Sequence, residues 1–177
     1  MPTIMTHAVV AWGLGRVLTR FRRLPARLWV LAGGLAILPD LDVAARLLGI
    51  PAGSPWAHRG ITHSLTAALL VSLVVASLAC RGTGLPLLAG WGILALAMGS
   101  HGVLDALTDG GSGVAFLAPF DNTRYFFPWR PIRVSPFWGG FFTPRGLETV
   151  TSEAVWVWVP LAVLVMSAWL AGRHRGN

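Results

Sequence analysis

Three runs of this chain, residues 64–80, 82–100 and 154–172, contain no charged side chain. A bilayer crossing needs roughly 17–25 mostly apolar residues, and hydrocarbon offers no water to satisfy exposed backbone amides. The three runs therefore predict membrane-spanning helices. Residues 28–38 are as apolar but stop at Pro39-Asp40, which predicts a shorter helix ending there. Residues 3–19 predict another, with His7 one turn before its middle. The expected fold is an all-α polytopic bundle of about five helices in a single domain, residues 1–177. Pro160 is expected to kink the last helix, whose Trp156, Trp158 and Trp169 suit an interfacial end.

Composition narrows the function. Hydrophobic residues make up 54% of the chain and charged residues 12%, which places it among integral membrane proteins. The net charge of +7 comes from 14 basic residues, all arginine. Arginine beside apolar spans marks cytoplasmic loops and anionic headgroups, so the charge argues for membrane lipids as partners and against nucleic acid. Cys80 is the only cysteine, which excludes an internal disulfide and a thiolate metal cluster. The start, MPTIMTHAVVAW, has no basic segment ahead of its apolar stretch and does not read as a cleavable signal, so insertion is expected to rely on the internal spans.

Charge also orders the helix ends. Arg16, Arg20, Arg22, Arg23 and Arg27 fall between the first two helices, Arg81 between the third and fourth, and Arg173 and Arg175 after the last. Alternate crossing puts these on one side, which the positive-inside rule makes cytoplasmic. His7, Asp40, Asp42, His58, His63, His101 and Asp105 then gather at the opposite, non-cytoplasmic end. Residues 110–151, rich in Gly, Pro and aromatics, are expected to form a long extracytoplasmic loop that acts as a lid. Arg124, Arg130, Arg133 and Arg145 lie in it against the charge bias, which long loops obey weakly.

Four of the seven acidic residues lie in apolar sequence near histidines or each other. Ionisable groups at membrane depth are costly and point to function. His101 and Asp105 are four apart, on one helix face and able to share a cation. Asp40 and Asp42 flank Leu41, and an extended chain there would aim both carboxylates into one pocket. His58 and His63 bracket Arg59-Gly60-Ile61-Thr62, so a bend is required for both to ligate. Imidazole with carboxylate suits zinc best, manganese or iron next, and argues against magnesium or calcium. Duller roles compete: a lone histidine is more often a hydrogen-bonded core residue, Asp40 suits a helix cap, Asp109 before Gly110-Gly111 suits a turn, and His174 suits solvent. The joint set of His63, His101, Asp105 and one of Asp40 or Asp42 favours a metal, because four segments support one another.

The ordered motifs THAVVAWGLG, ILPDLD, HRGITHS, HGVLDALTDGG and PF...RYFFPW resemble the YdjM-like family of bacterial inner-membrane metal-dependent hydrolases over nearly the whole chain. That family is similar to the zinc-dependent phospholipase C and S1/P1 nuclease group. The resemblance implies that His7, Asp40, His63, His101 and Asp105 take metal-ligand positions. Asp42 and His58 fall within the matching motifs, and His58 and Asp109 are expected as further ligands or their supports. The soluble relatives' later HxxxE pair is missing, Glu148 and Glu153 having no histidine partner, so one or two ions are expected rather than three.

The implied activity is that of a hydrolase acting through a metal-activated water on a phosphoester, lipid or lipid-linked, at the bilayer face. Asp40 or Asp42 would accept the water's proton. Arg59, Arg124 or Arg130 would hold a phosphate oxygen, Arg59 first because it adjoins His58. The rival roles are a structural or regulatory membrane protein whose metal ties helix ends together, and a metal or proton transporter. The charge-free spans speak against transport, which needs polar groups through the bilayer depth.

Overall fold

The computed structural model describes residues 1–19, 23–136 and 138–173. Arg20, Arg22, His174 and Arg175 lie outside the described residues. The chain is helical, with α1 at Ile4–Leu18, α2 at Ala26–Ile37, α3 at Ala44–Leu47, α4 at Leu65–Ala79, α5 at Leu87–Ala106, α6 at Pro144–Glu153 and α7 at Val159–Arg173. Three continuous helical stretches are long and apolar enough to cross a membrane: Ala26–Leu47, Leu87–Ala106 and Pro144–Arg173. Helices α1 and α4 are apolar but shorter.

Helix α5 lies at the centre, packed on α1, α2 and α4, with α7 against the outer side of α1. The buried cluster between these helices is rich in alanine: Ala11, Ala32, Ala36, Ala68, Ala76, Ala79 and Ala97 surround Leu28, Leu35, Leu94 and Met98. Small side chains let helix backbones approach closely, and in lipid that dispersion contact, rather than expulsion of water, holds helices together. The arginine-bearing ends meet away from the histidines: Arg27 Nη2 donates to the Arg81 carbonyl at 2.5 Å, and the Arg16 guanidinium lies over Trp29.

Local chemistry sets the helix boundaries. Thr3 and Ser64 cap α1 and α4, their hydroxyls accepting from the amides of Thr6 and Ala67. The run at 82–100 begins later and ends later than expected. Gly82 and Gly84 adopt φ of 68° and 71°, so α5 starts only after Pro86 and continues through Asp105 to Ala106. Pro160 does not break the last helix. It has no N–H for the Trp156 carbonyl, and the chain widens into a π-helical stretch at Ala154–Trp158 before continuing as α7.

The expected loop at 110–151 is shorter at its C-terminal end, because α6 begins at Pro144. Proline at the first helical turn loses no intrahelical bond, and Thr143 precedes it in extended conformation. The connection from α5 to α6 contains no strand among the described residues, only isolated bridges pairing Thr108 with Ile132 and Val114 with Tyr125. Backbone bonds fasten it to the helix ends: Ala115 N to Arg59 O at 3.0 Å, Leu65 N to Phe116 O at 2.9 Å and Phe127 N to Ala106 O at 3.0 Å. It covers the end of the bundle where the histidines lie.

Candidate metal centre

Asp40 and Asp42 are separated by the way α2 ends. After Ile37 the chain tightens into a 3₁₀ helix, Leu38–Val43, with Pro39 at its start. The extended arrangement expected for this pair is therefore corrected. Residues two apart on a 3₁₀ helix project about 240° apart around the axis, and the two carboxylates reach different nitrogens of one imidazole. Asp40 Oδ1 lies 3.8 Å from His63 Nε2, and Asp42 Oδ2 lies 3.1 Å from His63 Nδ1.

The bend required between His58 and His63 is present. Arg59 adopts φ of 67°, unusual for a residue with a side chain, and a Cβ on Gly60 would overlap the Pro55 carbonyl. This turn sends His58 toward Asp42, at 2.6 Å from Nδ1 to Oδ1, and swings Arg59 inward, with Nε 2.9 Å from Asp105 Oδ2. His63 follows on the short 3₁₀ turn Ile61–His63.

Asp40, His63, His101 and Asp105 are all buried, and each offers a donor atom within 4.8 Å of the other three. His63 Nε2 and His101 Nε2 are 3.1 Å apart, His101 Nε2 and Asp40 Oδ1 3.3 Å, and His63 Nε2 and Asp105 Oδ2 3.5 Å. A tetrahedral ion with bonds of about 2.0–2.1 Å requires donors roughly 3.3 Å apart, so these side chains could hold a metal ion. His7 stacks on His101 with ring centroids 3.8 Å apart, and its Nε2 lies 3.8 Å from Asp105 Oδ1. The expected ligands His7, Asp40, His63, His101 and Asp105 are thus brought together, His7 at the margin of the other four.

Hydrogen bonds fix the outer nitrogens. His101 Nδ1 donates to the Ala36 carbonyl at 2.7 Å, which leaves its Nε2 lone pair facing the cluster. Asp42 does the same for His63 from the Nδ1 side while accepting from the Thr62 hydroxyl and His58. Asp42 and His58, with His63, also form a second group of closely spaced donors. Burial disfavours charge on His63, but the carboxylates of Asp105, Asp40 and Asp42 outweigh it and push its pKa up to about 10. The position is built for positive charge, whether a proton or a cation.

The charge balance points the same way. Asp40, Asp42 and Asp105 face the buried Arg59 guanidinium and, 3.9 Å from Asp105 Oδ1, the Met1 amino group, so three carboxylates meet two basic groups before any imidazole is protonated. Both nitrogens of His7 and both carboxylate oxygens of Asp40 and Asp105 lack a hydrogen bond, the Arg59 contact being an ion pair off the hydrogen-bonding direction. Leaving a buried polar group unsatisfied costs about 1–3 kcal/mol, and more when it is charged. A divalent cation answers both the charge and the orphaned donors.

Three expectations are revised by placement. Arg59 does not present its guanidinium to solvent: it is 1% exposed and donates to Gly110 O at 2.9 Å and Thr108 Oγ1 at 3.1 Å besides pairing with Asp105. Asp109 is not beside the cluster, its carboxylate accepting from Arg133 Nη1 and the Val134 amide, both at 2.8 Å. Slight burial opposes its charge, but these hydrogen bonds hold its pKa below the usual carboxylate value. Arg130 is exposed and lies over the Phe126 ring. Arg124 lies closer, donating to the carbonyls of His58 at 3.0 Å and Ser54 at 3.2 Å.

Glu153, which lacks a histidine partner, has a structural part that its sequence position does not reveal. Fully buried, it accepts from the Thr3 amide and from the Thr3 and Thr6 hydroxyls, each at 2.6 Å, and so fastens the start of α1, which carries His7, to the end of α6. Its only sequence signal is a lone carboxylate at the threshold of a charge-free run.

The chain is 38% identical over 170 residues to Inner membrane protein YbcI of Escherichia coli (strain K12), an alignment covering 96% of this chain and 98% of that protein. No solved structure matches it. The profile of the family described as YdjM inner membrane protein matches residues 1–175, and the chain belongs to that family.

Proposed function

We propose that this protein is a membrane-bound, metal-dependent hydrolase of phosphoesters, lipid or lipid-linked, with zinc held by Asp40, His63, His101 and Asp105. The observation that carries this reading is the buried set of two carboxylates and two imidazoles whose donor atoms lie within 4.8 Å of one another, with no hydrogen bond to either carboxylate. A divalent cation there would supply Lewis acidity, acidifying a coordinated water and stabilising charge on a phosphoryl oxygen. The chain's own residues divide the remaining work. Asp42 and the Ala36 carbonyl orient the two imidazoles, and Arg59 neutralises part of the Asp105 charge. Asp42 already serves Thr62, His58 and His63, so Asp40, with neither oxygen hydrogen-bonded, is the proton acceptor. The arginine ends lie away from the site, which supports a cytoplasmic side for them and a periplasmic side for the metal centre. The similarity to the phospholipase C and S1/P1 nuclease group read from the motifs supports phosphoester chemistry.

The test is metal content and turnover of phosphodiester and phospholipid substrates by the purified protein and its His101→Ala variant. Metal in the parent, its loss in the variant and activity abolished by chelation are expected. Normal metal loading in the variant, or turnover that survives stripping, refutes the assignment.

A structural metal is the second reading. The observation favouring it is that all four donors lie on residues no more than 8% exposed, whereas catalytic sites keep a coordination position open to substrate. A metal-loaded protein that turns over no phosphoester and melts earlier when stripped would establish this second role.

A further inference from the structure

The two longest helices give the histidine end a depth in the bilayer. Helix α5 has 20 residues, about 30 Å at roughly 1.5 Å per residue, which equals the hydrocarbon thickness. His101 and Asp105 lie in its last two turns, so its apolar length is used up as the chain reaches the cluster. The helical run from Glu153 to Arg173 is about as long, and Glu153 accepts from Thr3 at the start of α1, which brings the two helix ends level. The connection lies directly on these ends. Phe127 N donates to Ala106 O at 3.0 Å, Arg133 N to Ser152 Oγ at 2.9 Å, and Leu65 N, the first of α4, to Phe116 O at 2.9 Å. These bonds hold the connection at the hydrocarbon boundary. Irregular backbone is tolerated at such depth only where its polar groups are paired, and Val114 and Tyr125 exchange both of their bonds at 2.9 Å. What this end shows outward is apolar. Leu117, Phe120 and Trp129 of the connection, with Leu48, Trp56 and Phe142, are at least half exposed, Phe120 at 87% and Phe142 at 91%, and none belongs to a span. Aromatic rings at the end of a span are the chemistry of the interfacial layer. Arg130, exposed with its guanidinium over Phe126, suits that layer too, its stem on apolar groups and its head among phosphates.

We propose that the cap over the histidine end is a lipid-contacting surface, seated in the interfacial layer of the bilayer with Phe120, Trp129 and Phe142 among the lipids rather than in water. Its partner is the phospholipid layer itself, because whatever lies level with the end of a span is surrounded by lipid. This seating is independent of the phosphoester reading: it decides from which phase the cluster is approached, whether or not the cluster hydrolyses anything. A lipid of the same leaflet is already at the level of the cap, whereas a water-soluble phosphoester must first cross the headgroups.

The test uses the full-length protein reconstituted into vesicles of phosphatidylcholine and phosphatidylglycerol. In a Cys80→Ser background, which removes the free thiol, nitroxide labels are attached after Phe120→Cys or Phe142→Cys, both at exposed positions. Collisions with oxygen, which concentrates in lipid, are compared with collisions with a water-soluble nickel chelate, and a nitroxide on a lipid headgroup calibrates the scale. Both protein labels are expected to give an oxygen-to-chelate ratio several-fold above that of the headgroup label. A ratio equal to or below the headgroup label's overturns the proposal. Exclusion of both reagents shows a protein surface, such as a second copy, covering the cap, and overturns the lipid assignment. A second readout needs no cysteine: quenching of the native tryptophans by phosphatidylcholine brominated near the headgroup is compared between the parent and the variant combining Trp56→Phe with Trp129→Phe. The quenched fraction should fall in the variant, and an unchanged fraction overturns the placement of those two rings.

Discussion

Replacing Asp42 with Asn separates a carboxylate that orients a ligand from one that is a ligand. Asp42 Oδ2 lies 3.1 Å from His63 Nδ1, and its other oxygen lies 2.6 Å from His58 Nδ1. An asparagine of the same shape keeps one acceptor but presents an NH₂ group to the other partner, so either His63 or His58 loses its hydrogen bond. The buried negative charge falls by one at the same time. Loss of such an outer partner weakens metal binding by about 10- to 100-fold, or roughly 1.4–2.7 kcal/mol. Competition with a chromogenic chelator on the purified protein measures this directly. Binding unchanged within twofold would show that Asp42 does not support His63. A loss beyond about 1,000-fold would show that Asp42 coordinates the ion itself, and the division of labour between Asp40 and Asp42 would be wrong.

Two further perturbations probe how the site is held. Glu153→Gln turns a double acceptor serving three donors into a single acceptor with an NH₂ facing the Thr3 and Thr6 hydroxyls. A loss of about 2–3 kcal/mol is expected, read as a lower melting temperature with earlier amide exchange at the start of α1; an unchanged melting profile would refute the fastening role. The Asp109 carboxylate has its pKa lowered in the folded state, so its contribution to stability is present above the unfolded value near 4 and disappears as pH falls through the lowered one. Because Arg133 is exposed and the pair is screened by solvent, the contribution is less than about 1 kcal/mol, and Asp109→Asn should slightly flatten stability below pH about 4. A steeper loss in acid for the variant than for the parent would contradict the sign.

The helices were legible because charge-free runs of span length permit little else, and the His101–Asp105 pair was legible because α-helical spacing places them on one face. Asp42 was harder: ILPDLD reads equally well as an extended segment, and only the tightening after Pro39 divides its carboxylates between the two sides of His63. Arg59 was assigned to substrate because it adjoins His58, yet its left-handed backbone turns it inward onto Asp105. Helix α6 was hidden by its polar composition, although Thr143-Pro144 is a recognisable start.

Composition and pattern alone determined that this chain lies in a membrane as helices and that its imidazoles and carboxylates gather at one end, because hydrocarbon penalises charge wherever a span must pass. Which oxygen faces which nitrogen and which arginine is turned inward onto a buried carboxylate were decided by the tertiary structure. Those assignments depend on the 3₁₀ turn after Pro39, the bend at Arg59-Gly60 and the loop laid over them, where a rotation of one residue sends a side chain to a different partner.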